Sequence, residues 1–207
     1  EERGHRFCRY ADDCNIYVRS QRAGERTMSA VRRFIEGRLG LRINEEKSKV
    51  DRPRNRKFLG FSFFRRNGVQ FRIAPKTIER FKARVREITA RSNGWSMERR
   101  IRALSAYFRG WMGYFRIART PSIYRELDGW TLRRLRLCLW KQWKRIRTRL
   151  RELRALGLSE WHARELAFSR KAYWRIAGAP LNSAMPRRYW TARGFAGLSE
   201  LYGSSVR

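Results

Sequence analysis

The chain has 207 residues, with 50 Lys or Arg against 18 Asp or Glu, so its formal net charge is +32. That charge excludes an ordinary small-metabolite enzyme surface and calls for a polyanionic partner, because self-repulsion opposes folding. Yet 42% of the residues are hydrophobic, including 8 Trp, 12 Phe and 8 Tyr, which excludes a disordered basic tail too poor in apolar side chains to build a core.

The opening reads as a β-hairpin. Phe7-Cys8-Arg9-Tyr10 and Cys14-Asn15-Ile16-Tyr17-Val18 are β-prone runs joined by the short acidic link Ala11-Asp12-Asp13. Met28, Val31, Ile35 and Leu39 then recur at helical spacing between Gly24 and a C-cap at Gly40, followed by a strand-like Leu41-Arg42-Ile43-Asn44. Beyond a polar stretch, Phe58-Leu59-Gly60-Phe61-Ser62-Phe63 and Val69-Gln70-Phe71-Arg72-Ile73 flank Asn67-Gly68, a dipeptide suited to a tight primed turn.

At Ala74-Pro75 the pattern becomes helical, with Ile78, Phe81, Val85 and Ile88 on one stripe after a proline placed for a helix start. Met97, Ile101, Leu104, Phe108 and Trp111 mark a second helix, in which Trp111, Tyr114 and Phe115 are expected to pack. A third and longest pattern runs from Ile123 to Leu153, with ten Lys or Arg between Leu132 and Arg154 against Glu152 alone. If its apolar side, including Leu135, Trp143, Ile146 and Leu150, faces the core, then Arg133, Arg136, Lys144, Arg147 and Arg151 are free to meet phosphates. Shorter helices around residues 160–168 and 182–188 close the chain.

Three cysteines, Cys8, Cys14 and Cys138, form no CxxC pair and have no His partner at zinc-ligand spacing, which argues for a reducing compartment. No apolar run approaches the roughly 20 residues that span a bilayer. Residues 1–73 thus read as a mixed α/β region and the remainder as helical, which makes the fold class α+β.

Asp12 and Asp13 are the candidate chemistry. Two adjacent carboxylates at a hairpin turn are well placed to hold hard divalent cations from one side, although an Asp-Asp turn is by itself common at solvated surfaces. Arg9-Tyr10-Ala11-Asp12-Asp13 resembles the palm motif of reverse transcriptases, and later blocks resemble group II intron reverse transcriptase/maturases in order. Leu39 to Lys49 is similar to the strand-and-lysine segment after the palm helix, Phe58 to Phe63 to the primer grip, and Arg109 to Phe115 to the maturase thumb helix. Leu132 to Arg136 with Trp140 to Lys144 is similar to the signature closing that region, and Lys171 to Arg175 with Gly194 to Tyr202 to the ending of many bacterial members.

The resemblance implies a partial palm sheet over 1–73, a helical thumb/maturase region over 74–154 and a small helical C-terminal extension over 155–207. It further implies RNA-directed DNA synthesis with intron RNA binding and splicing, as in mobile elements. Asp12 and Asp13 then hold two Mg²⁺ ions together with a third carboxylate from outside this chain, while Tyr10, Ala11, Asn44, Lys47 and Gly60 face nucleotide or primer. The implied partners are intron RNA, an RNA template with a DNA primer, dNTPs and an upstream polymerase half carrying fingers and first palm strands. No membrane is involved, and the expected setting is the bacterial cytoplasm. Asp51 and Asp128 stand in no strand like that of the third family aspartate, which argues against either as its substitute. The alternative reading is a non-catalytic, maturase-like RNA chaperone.

Overall fold

The computed structural model describes residues 4–65 and 68–204, and the chain divides into two compact units, 1–71 and 72–207. In the first, β1 (Arg6–Tyr10) pairs antiparallel with β2 (Asp13–Tyr17), with Tyr10 opposite Asp13 next to the turn. Helix α1 (Gln21–Leu39) starts where Ser20 Oγ accepts the Ala23 N–H at 3.2 Å and ends at Gly40, whose φ of 64° supplies the left-handed C-cap. Gly24 is buried in this helix because a Cβ there would stand 2.6 Å from Val50 Cγ1.

The strand expected at Leu41–Asn44 does not form. Asn44 is drawn into a turn, its side chain and carbonyl accepting backbone N–H groups of Lys47 and Ser48, and an extended segment without a ladder partner is no strand. After a short 3-10 turn at Pro53–Asn55 come β3 (Lys57–Phe58), β4 (Phe61–Arg65) and β5 (Val69–Ile73), ordered β3-β4-β5 in one sheet. The single strand expected over Phe58–Phe63 is therefore two, split at Leu59 (φ 51°) and Gly60 (φ 82°). Two consecutive positive φ values are the signature of a type I′ hairpin, which glycine at the second position favours. The expected Asn67-Gly68 turn involves Asn67, which lies outside the described residues.

The second unit is helical: α2 (Pro75–Ile88), α3 (Met97–Phe115), α4 (Pro121–Gln142), α5 (Ile146–Ala155) and α6 (Glu160–Ala167). Among the described residues four short helices follow, α7 (Tyr173–Ile176), α8 (Ala179–Ala184), α9 (Arg187–Thr191) and α10 (Leu198–Ser204). The expected helix over 182–188 is interrupted at Met185-Pro186, since the residue before a proline is pushed out of the helical region. The core gathers Phe81 and Val85 of α2, Leu104 and Phe108 of α3, Leu135 of α4 and Phe195, with Phe108 and Phe195 edge to face at 5.7 Å. Trp111 is buried as expected, whereas Tyr114 is 51% exposed and takes no place in the core.

The long helix expected to run unbroken to Leu153 is interrupted between α4 and α5. Trp143 leaves the helical conformation (φ −78°, ψ 69°) and buries its indole against Trp140 at 5.9 Å. Its carbonyl, freed from the helix, accepts Arg149 Nε at 3.0 Å, so the break leaves that acceptor satisfied. Burying a large aromatic outweighs continuing the ladder, and α5 turns to pack on α6.

Candidate functional site

The tip of the β1–β2 hairpin is a two-residue loop, Ala11-Asp12. Ala11 holds φ at 51°, the positive value that primed turns demand at their first central position, at a cost of about 1 kcal/mol for a residue with a Cβ. Asp12 in the loop and Asp13 at the start of β2 are both exposed, and Tyr10, paired with Asp13, is 63% exposed. Paired residues share a sheet face, so the phenol and the Asp13 carboxylate project to the same side. Arg6, Cys8, Asn15 and Tyr17 complete that face. Burial, and then the nearby Cys8, push the Tyr17 phenol up from its ordinary range.

Two carboxylates at one turn are hard oxygen donors of the kind Mg²⁺ takes, and Mg²⁺ is commonly held by one or two carboxylates plus substrate phosphates. Among the described residues no group of three His, Cys, Asp or Glu could hold a metal. Asp12 and Asp13 thus fit part of a divalent-cation site and leave room for further oxygen ligands.

The two other carboxylates weighed for that chemistry sit in different surroundings. Asp51 Oδ1 accepts the Asn55 side-chain amide at 2.9 Å and the Arg52 N–H at 2.7 Å, interactions that hold its carboxyl below the usual range. Asp128 is fully buried in the other unit, where it accepts the N–H groups of Leu198 and Ser199 and pairs with Arg187.

Of the other expected residues of the first unit, Asn44 and Lys47 share one turn and Gly60 lies in another. Asn44 is committed to its turn. Lys47 is exposed in that turn, and its carbonyl accepts Arg56 Nη2 at 2.7 Å. Gly60 occupies the second loop position of the β3–β4 turn, where its positive φ serves local geometry.

The basic set requires correction, because it is split between α4, the connection at Lys144 and α5, and its members differ in environment. Arg136 is 5% exposed and points inward, its guanidinium donating to Ala177 O at 2.8 Å, Asn182 Oδ1 at 2.9 Å and Met185 O at 3.2 Å. Burial, with Arg133 nearby, pulls its pKa down to about 10. It is therefore not free for phosphate. Arg133 bonds to Trp174 O at 2.7 Å and stacks 4.2 Å from the Trp174 ring centroid. Arg151 forms a largely exposed ion pair with Glu152 at 2.6 Å, an interaction of little energetic weight. Lys144 and Arg147 are exposed and are the two whose side chains stay free of hydrogen bonds and ion pairs among the described residues. Helical periodicity missed this sorting because it cannot see a partner some 40 residues away; the interruption of the apolar stripe by Arg136 was the signal in the sequence.

Residues 1–63 match the family model for reverse transcriptase (RNA-dependent DNA polymerase), and residues 78–157 match that for the group II intron, maturase-specific domain. The first match ends inside β4 and contains the acidic hairpin tip, while the second runs from α2 through α5. No curated protein matches the chain. Among the described residues, no helix is long and apolar enough to cross a membrane.

Proposed function

The chain is a member of the group II intron reverse transcriptase/maturase family, and from that premise we propose that it serves Mg²⁺-dependent, RNA-directed DNA synthesis coupled to intron RNA binding. The observation that carries the synthetic half of this reading is the exposed Asp12-Asp13 pair at a strained hairpin tip. Asp12 and Asp13 would hold the metal. When bound there, Mg²⁺ supplies charge neutralisation for phosphoryl transfer between nucleotide and primer.

The chain's own part is positioning. The hairpin ladder sets Asp13 and Tyr10 on one face, where the Tyr10 ring offers a flat wall to a base or sugar. Ala11, with only a methyl group, leaves the approach to the two carboxylates open. Exposed cations on the helical unit hold the RNA through its phosphates. A third carboxylate, contributed by a preceding palm segment or a second polypeptide, completes the donor set, together with the fingers that clamp dNTPs. The 207 residues by themselves are accordingly inactive in synthesis.

Primer extension tests the proposal. With annealed RNA template and DNA primer, dNTPs and Mg²⁺, extension is expected once an upstream half is supplied and not from the 207 residues alone. Robust extension by the isolated chain sinks the claim that the site is incomplete. A second reading, a non-catalytic RNA chaperone, is supported by the match of residues 78–157 to the maturase-specific domain. It predicts intron RNA binding and assisted splicing with no extension under any complementation.

A further inference from the structure

Within the helical unit, Arg91, Arg134 and Leu137 together with Ala172, Tyr173 and Trp174 line an open cleft of about 380 Å³, a volume within the range of small-ligand sites. We propose that this cleft binds one unpaired nucleotide of an RNA strand, with its phosphate between Arg91 and Arg134 and its base against Trp174. The inference rests on the RNA-binding reading above and assigns it a place.

Charge is the first argument. No carboxylate lines the cleft, and cations crowd it. Arg91 lies 5.3 Å and Lys141 5.8 Å from the Tyr173 ring centroid, while Arg86 and Arg134 lie 5.5 and 5.6 Å from that of Trp130. Arg134 is half-buried and anchored, its Nε donating to Thr89 Oγ1 at 2.6 Å, which leaves Nη1 without a partner among the described residues. Burial, with the like charges of Arg86 and Arg91, lowers its pKa from the ordinary arginine value. An anion seated there relieves that repulsion: Nη1 of Arg134, whose Nη2 also donates to Thr89 O at 3.3 Å, can meet one phosphate oxygen while the Arg91 guanidinium meets another.

The second argument is the aromatic wall. Tyr173 packs against the buried cluster of Leu137, Cys138 and Ala177, so the wall has a rigid backing. Trp174 remains 38% exposed with Arg133 stacked on it and bonded to its carbonyl, which fixes the indole before any ligand arrives. An aromatic platform beside a phosphate-binding pair suits an unpaired strand, whose base faces are accessible, and does not suit a duplex, whose bases are stacked away.

The test uses the full chain and a single-stranded RNA oligomer carrying 5-iodouridine. Photo-crosslinks are expected on Tyr173 or Trp174, and a fully paired duplex of the same sequence should compete poorly. Trp174→Ala should weaken binding of the oligomer by roughly 5- to 150-fold, with partial rescue by Trp174→Phe. Arg91 is exposed, so Arg91→Gln should keep the melting temperature while lowering the log–log salt slope by about 0.7; it carries the test if the tryptophan variants fail to fold. Crosslinks mapping elsewhere, or an unchanged affinity and slope in Arg91→Gln, overturn the cleft assignment while leaving RNA binding intact. A parent chain that binds no RNA at low salt overturns the RNA-binding reading itself, and the cleft assignment with it.

Discussion

Asp128, fully buried in α4, accepts the backbone N–H of Leu198 at 2.7 Å and so caps a helix 70 residues further along the chain. The same carboxylate accepts Ser199 N–H at 3.0 Å and pairs with Arg187, so one side chain ties α4 to α9 and α10. Hydrogen bonds to a charged acceptor contribute about 1.5–3 kcal/mol each, and Arg187, being 42% exposed, adds less because water screens it. Asp128→Ala should therefore cost about 3 kcal/mol of stability, and Asp128→Asn about half of that, as its remaining oxygen still accepts. Thermal melting followed by circular dichroism checks both; an unchanged melting temperature in Asp128→Ala contradicts the capping role.

The two kinds of basic residue between Arg133 and Arg151 should separate experimentally. Arg136→Met leaves the carbonyls of Ala177 and Met185 without their donor in the interior and should cost about 2–4 kcal/mol, while the salt dependence of RNA binding in the folded fraction stays as it was. Lys144→Gln with Arg147→Gln should leave stability within about 0.5 kcal/mol and flatten the salt slope by about 0.7–0.9 per lost phosphate contact. The reverse pattern, a flattened slope in Arg136→Met alone, would restore Arg136 as a phosphate ligand.

Tyr124 provides a pH signature. Its hydroxyl is buried within reach of Phe115 O at 2.9 Å and Ala118 O at 3.0 Å, and burial pushes its pKa up to about 12. The unfolded chain loses this proton near pH 10 and the folded chain only near 12. The unfolded state therefore binds fewer protons over that window, and stability falls as pH rises, by up to about 1.4 kcal/mol per unit. Tyr124→Phe should remove this component of the alkaline decline and cost about 1 kcal/mol at neutral pH. Equal alkaline slopes in parent and variant would assign the decline to other groups.

Asp12 sits exposed in a loop, so Asp12→Asn should leave the fold and RNA affinity unchanged while abolishing primer extension by the complemented enzyme. Loss of the circular dichroism signal in this variant would make Asp12 structural. Ala11→Gly should stabilise the hairpin by about 1 kcal/mol, the strain of a Cβ at positive φ, read as greater protection of the β1–β2 amides from hydrogen exchange.

Gly24→Ala sets two effects against each other. Alanine raises helix propensity by about 1 kcal/mol over glycine, but a Cβ here would lie 2.6 Å from Val50 Cγ1 and 3.4 Å from Val18 Cγ2. Overpacking of this kind costs about 1–3 kcal/mol. Net destabilisation is expected, and Val50→Ala in the same chain should recover most of it; a stabilised single variant would show that Val50 moves aside freely.

What the amino-acid order determined by itself were features set within a few residues. The β1–β2 hairpin with its acidic tip, the Gly40 cap, the proline start of α2 and the apolar stripes of α2 and α3 were legible, because turn chemistry and helical periodicity act over one or two turns of chain. The adjacent carboxylates at the tip were legible for the same reason. Tertiary structure decided the rest. Leu41–Asn44 has strand-like composition, yet lacks a ladder partner and yields to the turn that Asn44 closes. Trp143 breaks a helix whose pattern runs on to Leu153, because its indole gains more by burial than the backbone gains by one more turn. Arg136 and Asp128 look in sequence like surface charges, and both are buried because backbone groups 41 to 70 residues away need a donor or an acceptor. A side chain's fate depends on those distant partners, and no local window contains them.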